Sequence, residues 1–349
     1  MSTNMPHSVH SGEHMPHAPA LQDLDGKRST RSPTFDLTTV LPPHNYLSAP
    51  APDLSNSVQV ASLFPPLQGC DLVLRATKTL PHVEFYVDRE TIYNHSPYLK
   101  RKISELGPIP TGVEIVSWEE NAATLDAMLR FIYSDRPKPE VESVDHLRLL
   151  LRAAGKYGIE AARHALGTAV LLEFATREPL SAFAIACEFD LANEATLISK
   201  ETLRVDIMME GKSSELGRVS LSYYHRLLRL HRMRVAKAID ILSLIDTEHP
   251  MDELDPPYCE ECGTNASWWQ IFVQYGSIEL KRRPVTDTIF SAAFLAKCVR
   301  TSRHLCRACT DSYMQSSSQK LLTRLKEEID ALPAYISSVD PFVTKQVFP

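Results

Sequence analysis

Asp71-Leu-Val-Leu-Arg75, Val83-Glu-Phe-Tyr-Val87 and Asn94-His-Ser-Pro-Tyr-Leu99 are three pieces of one stretch, and their reading decides the fold. The first two are short, rich in strand formers and separated by a turn around Leu80-Pro81, so they predict a hairpin. Glu90 to Asn94 has the length of a helical turn. In the third piece Ser96 suits an N-cap and Pro97 suits the first helical position, where a missing N–H costs nothing. A helix from Pro97 to about Leu106 is predicted, stopped by Gly107-Pro108-Ile109-Pro110. Outward from there, Val113-Glu-Ile-Val116 reads as a third strand. Asn121 caps a helix with apolar positions Leu125, Met128, Leu129 and Ile132. Val144, Leu147, Leu151 and Ala154 mark the next helix, and Ile159 to Phe174 the one after. The expected order is strand, strand, helix, strand, then three helices.

These pieces resemble a BTB/POZ domain, in the fungal, basidiomycete-like version. The matching residues are Asp71 with its strand, Val87-Asp-Arg89, and Ser96-Pro97 followed by Tyr98-Leu99. Leu125-x-x-x-Leu129-x-x-Ile-Tyr133 and Leu150-Leu-Arg-Ala-Ala-Gly-Lys-Tyr157 complete the set. The family usually has a His-Arg-like pair after the second strand, and here Asp88-Arg89 stands in its place. The resemblance implies an α+β fold, a small sheet flanked by helices, followed by an all-helical region. It also implies a module that self-associates or presents a surface to a protein partner.

The 349 residues divide by composition. Residues 1–66 hold ten of the 24 prolines, nine serines and five histidines, without a period of 2 or 3.6. They read as a disordered tail, because too little apolar surface is available to offset ordering. His7, His10, His14 and His17 make a loose histidine tract whose plainer reading is a polar tail. Residues 67–175 are assigned to the BTB/POZ domain, 176–250 to a helical extension and 255–340 to a cysteine-bearing helical module. Net charge is −6, which excludes a globally basic nucleic-acid coat. The absence of a long apolar run and of a basic-then-apolar start leads to an expectation of a soluble intracellular protein, nuclear or cytoplasmic, with no membrane partner.

In the extension, Ala182 to Ala195 resembles the helical pair that follows fungal BTB domains. Cys187, with Phe183, Ala184 and Leu191, reads as a buried thiol. Leu216 to Ile239 contains Arg218, Arg226, Arg229, Arg232, Arg234 and Lys237 and no acid. Leu221, Tyr224, Leu228, Val235, Ile239 and Leu242 are spaced as the packing stripe of one helix, leaving a basic face over 218–237. That face could hold phosphates. The plainer reading is a solvated surface, since no zinc finger, helix-turn-helix or RNA-binding signature accompanies it.

The sharpest chemical signal is Cys259-Glu-Glu-Cys262 with Cys306-Arg-Ala-Cys309. Two C-x-x-C turns can supply four thiolates to one tetrahedral zinc. The 43-residue gap is longer than in compact sites, though Trp268, Trp269, Phe272, Tyr275, Leu280, Phe290, Phe294 and Leu295 give it enough apolar content for two small helices. Three readings stay open: structural zinc, reduced packing thiols, and a disulfide or redox pair. Cys298 and His304 are spare candidates, the first read as buried and the second as a surface residue. The fungal proteins carry a similar tail, matched here by the two pairs, Trp269 and Arg283-Pro284. Leu322, Leu325, Ile329, Leu332 and Ile336 form a last seam, expected to pack on the cysteine module, with a coiled-coil contact to another chain as the alternative.

No phosphate-cradling, nucleophile-elbow or metalloprotease motif is present, so the chain does not read as an enzyme. A four-cysteine zinc would leave no open coordination position. The reading is therefore a protein-interaction module, with a homodimer through the BTB domain expected. A second reading is a cullin-type ubiquitin ligase adaptor, for which Ile103-Ser-Glu105 gives a three-residue hint. A third is a nucleic-acid-associated regulator using Arg226, Arg229 and Arg232, which the acidic charge disfavours.

Overall fold

The computed structural model describes residues 58–105, 113–210, 215–243, 257–302 and 306–337. The hairpin forms as expected. β2 (Leu72–Ala76) and β3 (His82–Val87) run antiparallel, with Leu72 opposite Val87 and Ala76 opposite Val83. β4 (Glu114–Trp118) joins β2 in parallel. β1 (Val58–Val60) joins β3, also in parallel, giving the order β1-β3-β2-β4. Side chains alternate across a strand. Leu72, Leu74, Ala76, Phe85, Val87, Val116 and Trp118 therefore all fall on the inner face and are buried.

The helices start where the sequence offers caps. Asp88 accepts from Thr91 N–H to open α1 (Arg89–His95). Asn121 does the same for α3 (Ala122–Ile132) and Ser143 for α4 (Val144–Tyr157). Between them lies α2 (Pro97–Glu105). Gly158 ends α4 at φ +65°, a backbone conformation that suits glycine. The single helix expected over Ile159 to Phe174 is interrupted. α5 (Glu160–Ala165) passes into a π-helical turn at Leu166–Val170 before α6 (Leu171–Arg177). Gly167 lies in that turn, and a Cβ there would stand 3.1 Å from Leu191 Cδ1.

The extension follows as α7 (Pro179–Glu188), α8 (Ala192–Thr202), α9 (Ile207–Glu210), a 3-10 turn at Leu216–Arg218 and α10 (Leu221–Ser243). α7 is apolar all round and buried over most of its length, so it forms an interior helix. Buried Arg148 of α4 ties this region to the sheet domain. It bonds Asp145 at 2.8 Å, Glu188 at 3.0 Å and Glu215.

The last region carries β5 (Tyr258–Cys259), β6 (Thr264–Asn265), α11 (Ser267–Arg282), α12 (Thr286–Ile289), α13 (Ala292–Ser302), α14 (Arg307–Ser312) and α15 (Ser316–Asp330). Two hydrophobic cores result. The larger joins the sheet, α1 to α8 and the first half of α10 through Leu227 and Leu230. The smaller takes Ala238 and Leu242 from the second half of α10 and packs them with Trp268, Trp269, Phe272 and the α15 seam.

Four sequence expectations need correction. Val58–Val60 and buried Phe64 lie inside the stretch read as a tail; their order comes from pairing with β3, which local composition cannot show. Residues 1–57, with the histidine tract, lie outside the described residues. Arg218 belongs to a separate 3-10 turn rather than to the long basic helix, and Leu221 is 82% exposed. The buried stripe of α10 is instead Leu227, Leu230, His231, Arg234, Ala238 and Leu242. Arg234 is thus no part of the basic face. The α15 seam also divides: Leu322, Leu325 and Ile329 enter the smaller core, while Ile336 enters the larger one.

Candidate functional site

β5 and β6 pair antiparallel around a tight turn that places Cys259 and Cys262 on one side. Gly263, immediately after, closes that turn at φ +64° and donates its N–H to Cys259 O at 2.9 Å. Cys306 sits at the N-cap position of α14 and Cys309 in its first turn. The sulfurs meet across the 43-residue gap: Cys259 Sγ lies 3.8 Å from Cys306 Sγ, and Cys262 Sγ lies 3.6 Å from Cys309 Sγ. All four fall within 4.8 Å of one another. Ligands placed tetrahedrally at the Zn–S bond length of about 2.3 Å would stand about 3.8 Å apart. The donor set therefore fits a zinc ion, and all four thiols are free rather than disulfide-bonded.

The electrostatics agree. Cys306, Cys309 and Cys259 crowd Cys262 and hold its thiol well above its ordinary value. Burial pushes Cys309 up, yet the Ser267 hydroxyl and backbone N–H, with Cys259 and Cys262, bring it down to about 7. Like charges this close cannot all ionise without a cation between them. Around the sulfurs, Trp268 Nε1 donates to Ser312 Oγ at 3.0 Å, and Ser312 Oγ donates to Cys309 O at 2.8 Å. The Trp268 ring meets Tyr313 edge-on at 5.3 Å. α11 and α13 fill the gap and bring the two pairs together.

The other cysteines stand apart. Burial pushes Cys187 up to about 12 and Cys298 up to about 11, as expected of inert core thiols. His304 lies outside the described residues.

In the sheet domain, Asp71 accepts from the Arg89 backbone N–H at 2.9 Å and its side chain at 3.3 Å, and Arg89 reaches Glu114 at 2.9 Å. Ser96 Oγ donates to Tyr157 O and accepts from Leu99 N–H at 3.2 Å, so one hydroxyl caps α2 and ties it to the end of α4. Pro97 packs close to Gly158 at that same junction. Tyr157 stacks on Trp118 at 3.6 Å. Tyr133 OH accepts from Asp88 N–H at 3.0 Å, and its ring meets Phe64 at 5.6 Å. Each of these residues joins elements to one another. Ile103, the apolar member of the Ile103-Ser-Glu105 pattern, is 1% exposed and faces the core, so it is not available to a scaffold protein.

On α10, Arg229 and Arg232 are exposed, while Arg226 is half-buried over the Tyr223 ring at 5.4 Å. Sequence reasoning misplaced one neighbour, Arg234, and missed another, His231. Arg234 is buried and donates to Pro284 O at 2.8 Å, Ile329 O at 3.0 Å, Pro333 O at 3.1 Å and Leu332 O. His231 is buried beside Thr202, 3.1 Å from its hydroxyl. That hydroxyl already donates to Ser199 O at 2.6 Å, so His231 Nε2 is the donor. Burial brings this imidazole down to about 4.

Residues 62–171 match the family model of the BTB/POZ domain. The chain therefore carries a BTB/POZ domain, and its small mixed sheet with packed helices is the architecture described above. Such domains are interaction modules and are typically non-enzymatic. No curated protein matches the chain. Among the described residues no helix is long and apolar enough to cross a membrane.

Proposed function

We propose that this protein is a non-enzymatic assembly protein whose BTB/POZ domain pairs with a second copy or recruits a protein partner. The observation that supports this most is the sheet edge. β1 exposes Val58 (47%) and Val60 (42%), and on the opposite edge Val113 (48%) and Ile115 (49%) flank and enter β4. Among the described residues neither outer edge has a strand partner. Unpaired apolar edges are templates for another chain. The test is light scattering of the purified full chain. A dimer that Val58→Lys with Val60→Lys converts to monomer supports pairing through β1. A monomer at all concentrations sinks self-association and leaves partner recruitment, which affinity purification from native cells then examines. A cullin scaffold recovered in good yield would make it a ligase adaptor.

The division that goes with this reading is a BTB/POZ domain over 67–175, a helical extension to 250 and a cysteine module over 255–340. In the last, Cys259, Cys262, Cys306 and Cys309 hold a structural zinc, supported by their sulfur spacing. Zinc would lock the β5–β6 turn to α14 and leave no site for substrate. A nucleic-acid role for the α10 face has weaker support, because its apparent run of basic residues loses Arg218 to another turn and Arg234 to the interior.

A further inference from the structure

An apolar groove of about 220 Å³ opens between α10, α9 and the end of α11. Ile207, Met208, Leu228, Val235 and Ala236 line it, and Met208 at its mouth is 63% exposed. Leu228, His231, Arg232 and Val235 follow the i, i+3, i+4, i+7 spacing, so one stripe of α10 forms a wall. His231 adds no charge to that wall: burial keeps it neutral, and its Nε2 is committed to Thr202. The charge sits on the rim, where Arg232 of α10 and Lys281 and Arg282 of α11 also border the groove. The acid among the lining residues, Asp206, is bonded to Arg282 at 3.1 Å. Arg229 and Lys237 are further exposed cations on α10.

We propose that this groove docks an acidic segment of a partner protein, with one or two aliphatic side chains seated on the Leu228–Val235 stripe and carboxylates meeting Arg232, Lys281 and Arg282. An apolar floor with a basic rim is the complement of an acidic amphipathic helix. Nucleic acid fits less well. No Phe, Tyr or Trp among the described residues lines the groove to stack a base, and the apolar floor offers nothing to phosphates. The site lies between the extension and the end of α11 in the cysteine module, and does not depend on pairing through the sheet.

The probe is a fluorescein-labelled 14-residue peptide of glutamates with leucines at positions 4, 7 and 11, titrated with the full chain by fluorescence anisotropy at low salt. Saturable binding is expected, weakened about tenfold or more by exchanging glutamate for lysine and likewise by exchanging leucine for alanine. Ala236→Trp, which fills the groove from an exposed position, should abolish it. Arg232→Glu with Lys281→Glu should weaken it about tenfold and remove its salt dependence. Both variants should melt as the parent does. No binding of the glutamate peptide, or binding that neither variant alters, overturns the proposal. So does an equal response to the lysine peptide. A dimer that Ala236→Trp alone dissolves, without peptide binding, would assign the groove to a second copy. Displacement of the peptide by a single-stranded oligonucleotide with higher affinity would assign it to nucleic acid.

Discussion

Both cores bury aliphatic and aromatic side chains, but the smaller one alone adds a cluster of cysteines. The larger one is held by aliphatic and aromatic side chains from a sheet and many helices, with Phe85, Phe174, Phe183 and Tyr157 fully or nearly fully buried. The smaller one has four thiols at van der Waals separation along its edge, Cys259 and Cys309 buried in it, Cys306 half-buried and Cys262 exposed, with a two-residue strand pair and a six-residue helix holding them. Elements that short do not stand alone in water. Both regions bury apolar surface, and on the reading proposed above a zinc ion would add a further clamp at the thiol end of the smaller one, a common arrangement where a core is small.

The largest expected effect tests that contrast directly. Cys259→Ser, or removal of metal by a strong chelator, should unfold the 257–315 region and leave the sheet domain standing. Structural zinc supplies on the order of 10 kcal/mol or more to such modules. Emission from Trp268 and Trp269 should shift to the red, while the main thermal transition persists. Purified protein with well under one zinc per chain, and unchanged melting in chelator, would end the contrast.

Next is the join. Arg234→Met would take the guanidinium donor from the carbonyls of Pro284, Leu332 and Pro333, while Ile329 O would keep its bond from Leu332 N–H at 3.2 Å. Orphaned buried acceptors cost about 1–3 kcal/mol each before relaxation, so a loss of roughly 3–5 kcal/mol is expected in urea unfolding. A change within error would mean that water reaches those carbonyls, and that the two cores are joined by packing alone.

A pH scan sharpens the same boundary. His231 has a folded value of about 4, below its ordinary 6.5. The unfolded chain therefore binds the proton first, and stability rises with pH. The contribution is fully present above about pH 6.5 and is lost as pH falls toward 4, amounting to roughly 3 kcal/mol. His231→Gln should destabilise at neutral pH but lose less than the parent between pH 7 and 5. Parallel curves for the two proteins would contradict the burial of a neutral imidazole.

The smallest effect lies wholly within the larger core. Ser96→Ala removes the cap of α2 and the bond to Tyr157, costing about 1–2 kcal/mol in chemical denaturation. The smaller core should not respond, and Trp268 and Trp269 emission in native buffer should stay at the parent wavelength.

Much of the sheet domain was legible because its signals are local. Strand formers flank a turn, Asn121 and Ser96 precede apolar periods, and Gly158 closes a helix. β1 was not legible: three residues in a proline-rich stretch are ordered only by a neighbour that begins at His82. The cysteine set was legible as composition, but its closure depends on how α11 and α13 fold between the pairs. Arg234 was misread for a clear reason. An arginine is placed on a polar face by default, yet this one is repaid for burial by carbonyls 50 to 99 residues away. His231 was missed in the same way, since its partner Thr202 lies 29 residues upstream.

α10 passes through both cores without a break, and this sets a geometry. Its 23 residues make a strut of about 34 Å, fixed at one end by Leu227 and Leu230 and at the other by Ala238 and Leu242. A strut clamped at both ends carries torque as well as length. Whatever grips the sheet edge and whatever grips the cysteine turn are therefore held at one reach and one azimuth, with no tether to average over. A rigid partner long enough to touch both would gain the second contact without linker entropy, and one of the wrong span would be refused.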